Sequence, residues 1–166
     1  MSQNLLDMCD IVSGIVPINL GSARTGDTIS LRNHGAVAVV FFKAAGSASE
    51  DPTLTFEQAT SITPSSAKAL TAVTTIYTKQ GTLTSVGTWT KTTQAAAATY
   101  SNTTASENEA IWVITIKAED LDVDNGFDCM RVTIADAGSV NQLACLLYFL
   151  LEPRYANEAG ISAIIN

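Results

Sequence analysis

The segment Leu143–Leu151, LACLLYFLL, constrains the fold more than any other stretch, because it is apolar at both parities. A strand points successive side chains to opposite faces, so a half-buried strand alternates apolar with polar residues. Here Leu143, Cys145, Leu147, Phe149 and Leu151 share one face, and Ala144, Leu146, Tyr148 and Leu150 the other. The run rises about 30 Å as a strand but only about 14 Å as a helix, too little to cross a bilayer as a helix. Two arrangements keep water off both faces. Either the strand is central between two layers of its own domain, or another subunit covers one of its faces.

Elsewhere the chain reads as short strands. Ile15–Leu20 carries Pro17, which suits an edge because proline donates no ladder hydrogen bond. Asp27–Leu31 and Ala36–Lys43 flank Arg32-Asn33-His34-Gly35, and their turn chemistry predicts a hairpin. Further strands are expected over Thr53–Ala59, Thr74–Gln80, Thr88–Gln94, Ile111–Lys117 and Phe127–Ile134. Lys68–Leu70 is a shorter run, Ala95–Ala98 suggests one helical turn, and Thr99–Glu109 a loop. Trp112, Ile114 and Ile116 are expected to pack against Met130, Val132 and Ile134. Many short strands with little helix argue an all-β fold: a two-sheet antiparallel sandwich, jelly-roll-like. The reading gives one domain, 15–153, with an N-terminal arm (1–14) and a C-terminal tail (154–166). Ile161, Ile164 and Ile165 make that tail too apolar for a free end, so it reads as a docked arm.

Charge excludes several functions. Nine Lys and Arg stand against 16 Asp and Glu, a net charge of −7. No basic cluster offsets that field, so nucleic acid is not an expected partner. The start, MSQNLLDMCDIVSG, lacks a basic segment followed by an apolar core, and neither a secretory signal nor a membrane partner is expected. Cys9, Cys129 and Cys145 are an odd, widely spaced set, expected as buried free thiols made in a reducing cytoplasm.

Catalytic patterns are sparse. His34 is the single histidine and falls in the expected tight turn, where it reads as a solvated residue rather than a base. No glycine-rich phosphate cradle is present. Asp120, Asp122 and Asp124 match the first acidic positions of an EF-hand loop, but Asn125 replaces the turn glycine and Arg131 the bidentate glutamate. An acidic turn fits better than a metal site. The expectation is a protein that is not an enzyme and uses no cofactor and no metal.

The segments IVPINL, DTISLRNHGAVAVVFFKAAGSASEDPTLTFEQAT, IYTKQ, VGTWTKTTQ, DLDVDNGFDCMRVTIAD and LLYFLLEPRYA together resemble small virion proteins of tailed bacteriophages. Over about Ile15–Ala156 the chain is similar to capsid decoration, or cement, proteins. That resemblance implies a rigid sheet domain on the capsid exterior, binding the major capsid protein across joints between its subunits. It also implies an oligomeric contact, and the two-faced apolar strand with the apolar tail, more than one modest domain buries, predicts a homo-oligomer, a trimer slightly ahead of a dimer. Leu5 and Leu6 in the first arm, and Tyr155, Ile161, Ile164 and Ile165 in the second, are the candidate partner-contact residues. Rival readings are another virion role (neck, tail or fibre attachment) and a carbohydrate-binding sandwich stacking sugar on Trp89 or Tyr100. A third is an enzyme built on Asp120, Asp122 and Arg131.

Overall fold

A computed structural model of the chain describes residues 5–46, 51–81, 87–102, 108–138 and 142–154. One helical turn, α1 (Leu5–Met8), precedes twelve strands. These are β1 (Cys9–Asn19), β2 (Arg24–Thr25), β3 (Ile29–Ser30), β4 (His34–Lys43), β5 (Thr53–Ala59) and β6 (Lys68–Ala69). They continue with β7 (Val73–Gly81), β8 (Thr90–Ala97), β9 (Thr99–Ser101), β10 (Glu109–Lys117), β11 (Cys129–Ile134) and β12 (Leu143–Pro153). Two antiparallel sheets form a sandwich. The first runs β1-β12-β4-β10-β7-β8; the second runs β2-β11-β5-β6, with β3 also on β11 and β9 also on β5.

The core lies between them, and strict alternation builds it. Phe41 on β4, Trp112, Ile114 and Ile116 on β10, and Leu146, Tyr148 and Leu150 on β12 point inward from the first sheet. Leu54 and Phe56 on β5, with Met130, Val132 and Ile134 on β11, join the same cluster from the second. Burying each such side chain contributes about 1.5–3 kcal/mol.

A hydrogen bond also ties the sheets. The Val132 N–H points toward the interruption between β2 and β3, and the buried Tyr148 hydroxyl of β12 accepts it at 3.0 Å. Gly26 sits in that interruption and donates its N–H to the Val132 carbonyl at 2.9 Å. A Cβ on Gly26 would fall 2.8 Å from that carbonyl oxygen, so the approach requires glycine.

Several expectations change. The sequence 27–31 and 36–43 does not form a hairpin: β3 pairs with β11 in the second sheet, while β4 lies between β12 and β10 in the first. The tight turn is real, with the His34 N–H donating to Leu31 O at 3.0 Å, but it carries the chain across the sandwich. His34 is therefore no solvated turn residue; it opens β4 and is 1% exposed. Ala95–Ala97 end strand β8, with Ala97 opposite Val73, because pairing with β7 overrides the helix preference of alanine. The N-terminal segment is an arm only as far as Met8. From Cys9 it becomes edge strand β1, Cys9 opposite Leu151 and Ser13 opposite Leu147. Pro17 does fall on that edge strand, as expected.

Candidate interaction surface

The two apolar faces of β12 differ in how far they are covered. Ala144, Leu146, Tyr148 and Leu150 are buried in the core, but Cys145, Leu147, Phe149 and Leu151 are only partly covered and Leu143 is 58% exposed. No second layer of this domain lies over them among the described residues. The outer face of the first sheet is apolar.

Strand register extends that face sideways, since directly paired residues share a side. One row reads Ile11–Phe149–Ala38–Thr115 across β1, β12, β4 and β10. The next reads Ser13–Leu147–Val40–Val113–Tyr77–Lys91, and a third Cys145–Phe42–Ile111–Lys79. Phe42 is 47% and Tyr77 44% exposed. Charge enters at the margins: Lys79 lies over the Trp89 ring, 5.1 Å from its centroid, and Glu109 borders Phe42, Leu143 and Cys145. At the other end Leu5, Met8 and Cys9 line a groove with Ala38, Val40, Phe149, Leu151 and the charged Glu152. The second sheet gives the contrast. Its outer side carries Thr55, Glu57, Arg131 and Thr133, and Arg131 Nε donates to Glu57 at 2.7 Å. Water suits that face; the first sheet's outer face is the apolar one among the described residues.

Of the residues expected to meet partners, Leu5 lines the groove at the end of this face and Leu6 is 67% exposed. Tyr155, Ile161, Ile164 and Ile165 lie outside the described residues. Sequence reasoning passed over Val40, Phe42, Ile111, Val113 and Tyr77 as parts of one surface. The signal was present: Ala36–Phe42, AVAVVFF, is apolar at both parities just as β12 is.

The chemical candidates are dispersed. Asp120 accepts the Lys117 N–H at 2.9 Å. Asp122 pairs with Lys68 and accepts from Asn125 Nδ2 at 2.8 Å, and these hydrogen bonds hold its carboxyl below the usual range. Arg131 is held by Glu57 on the second sheet's outer side. Tyr100 is buried edge-on against Trp112 and presents no ring to a sugar; Trp89 is 46% exposed. The three cysteines are free, but Cys145 is only partly covered, not buried as expected. Burial pushes the Cys145 thiol up and Cys129 to about 11, so neither is primed as a nucleophile. His34 lies buried, and neither ring nitrogen has a hydrogen-bond partner among the described residues.

No protein-family model and no curated protein matches the chain. Among solved structures, the SPBc2 prophage-derived protein YomS overlaps 87% of this chain and 93% of its own, at 9% identity and a TM-score of 0.44. A structure of the infectious bursal disease virus Gt strain overlaps 91% of this chain and 42% of its own, at 11% identity and a TM-score of 0.27. The VP2 subviral particle of that virus overlaps 93% of this chain and 42% of its own, at 12% identity and a TM-score of 0.15. Such scores lie below the level of a shared fold.

Proposed function

We propose that this chain is a structural protein of a bacteriophage virion, of the decoration or cement type. It binds the outside of the head and holds neighbouring major-capsid subunits together, with no catalytic role. The observation that carries this reading is the outer face of β1-β12-β4-β10-β7, an apolar surface on an otherwise acidic sandwich. Contact surface is what such a protein offers. The sequence resemblance to tailed-phage decoration proteins over Ile15–Ala156 supports the same role, as does the strand order. With β7, β8 and β9 set aside, the orders β1-β12-β4-β10 and β2/β3-β11-β5-β6 follow the two interlocked Greek keys of a jelly roll. In this reading Leu5 and Leu6 meet the shell at the end of the first sheet, and Tyr155, Ile161, Ile164 and Ile165 are further shell contacts.

A protein that binds only the assembled shell stabilises it by mass action. Heads carrying the protein should therefore rupture at a higher temperature, or after a stronger osmotic shock, than heads without it. Removing residues 1–8 should weaken attachment while leaving the sandwich folded, since β1 begins at Cys9. Equal rupture of decorated and bare heads would defeat the cement reading. Detection on the tail alone would move the chain to a neck, tail or fibre-attachment role.

A further inference from the structure

We propose that two copies of this chain pack face to face through the outer side of the first sheet, related by a two-fold axis. This deepens the proposed virion role by naming the self-contact. It rests on the face alone, so the free protein tests it without any particle.

The first argument is charge. The chain carries −7, so most of its surface repels a second copy. The rows through Leu147, Phe149 and Phe42 bear no formal charge from β1 to β10. A foreign partner suited to an acidic protein would bring basic groups, and the acids nearest these rows, Glu152 and Glu109, lie only at the ends of the face. A second copy brings the same apolar rows. With the two-fold axis along the strands, the Lys79 and Lys91 margin of one copy lies over the β1 margin of the other, so like charges stay apart.

The second argument is area. Five strands about 4.8 Å apart, and eight residue steps of about 3.3 Å along β12, outline roughly 600 Å² per copy. Two copies then bury about 1,200 Å², at the lower end of stable interfaces. That size suits a dimer that forms at micromolar concentration.

The third argument is symmetry. A three-fold ring needs two different patches on each copy, each matching the other, whereas a two-fold contact needs one patch that matches itself. The described residues present one continuous apolar sheet face, and the opposite face is polar. The trimer placed first on sequence grounds therefore gives way to a dimer. Two sheets packed in this way sit about 10 Å apart, as the layers of a sandwich do.

Light scattering of the full chain between about 1 and 100 μM tests this, as that range brackets a weak-to-moderate interface. The expected mass at the upper concentrations is twice 17.5 kDa. Leu147→Lys and, separately, Val113→Lys point outward, so both should stay folded by circular dichroism and return the mass to 17.5 kDa. Thr55→Lys, on the polar face of the second sheet, should leave the doubled mass unchanged. A monomer throughout the range, a three-copy mass, or a dimer surviving in either folded outward variant overturns the proposal. If one outward variant fails to fold, the other decides.

Discussion

Tyr148 shows how much one side chain can be asked to do. Its ring fills the core, while its hydroxyl accepts the Val132 N–H that the interrupted β2 and β3 leave without a ladder partner. Tyr148→Phe keeps the ring and strands that buried donor. The expected cost is about 1–3 kcal/mol, read from the shift in denaturant midpoint. Lys43 poses the opposite problem, a charge inside the sandwich. It is fully buried, its Nζ donates to Asn108 O at 2.6 Å and Ala44 O at 3.3 Å, and burial pushes its pKa from 10.5 down to about 8. Below about 8 both folded and unfolded chains hold the proton, and the fold bears the full cost of the buried charge. Between about 8 and 10.5 the unfolded chain binds more protons, so stability rises with pH. Wild type should therefore gain stability relative to Lys43→Met over that window, in unfolding curves taken at successive pH values.

At the scale of the element, β10 and β5 were the most legible and the β3–β4 connection the least. Ile111–Lys117 alternates cleanly, and the strand occupies Glu109–Lys117 with Trp112 wholly buried. Phe41 lies 5.1 Å from the Trp112 ring and Tyr100 stands edge-on at 5.0 Å. Trp112→Ala should cost about 3–5 kcal/mol, measured by thermal or denaturant unfolding, because these neighbours cannot close the cavity. Alternation is a property of one strand, so sequence reveals it directly. Pairing belongs to two strands, and the Asn33–Gly35 turn looks the same whether the chain folds back or crosses to the other sheet. That ambiguity misplaced both the hairpin and His34. The Met1–Gly14 boundary failed for a related reason: Cys9–Ser13 is mixed in polarity because it pairs along an edge, and its partner β12 supplies most of the apolar surface.

At the scale of the molecule, the two sheets share one core and differ on their outer sides. The apolar parity of Leu143–Leu151 was visible in sequence, but only the assembled sheet decides which half faces outward and how far neighbouring strands extend it. β12 also lies inside its sheet, one strand in from the edge, between β1 and β4. Asn19 meets Leu143 and Cys9 meets Leu151, so β1 is completed by a strand far downstream of it in the chain. A nascent chain therefore holds β1 and one side of β4 open until β12 has emerged, with the apolar rows unprotected meanwhile. Loop closure over so long a span slows the search, and folding dominated by such distant pairing takes roughly milliseconds to seconds. For this chain the cost of a strand apolar on both sides falls on biosynthesis: the sheet cannot close piecemeal, and chaperones have a defined interval in which to act.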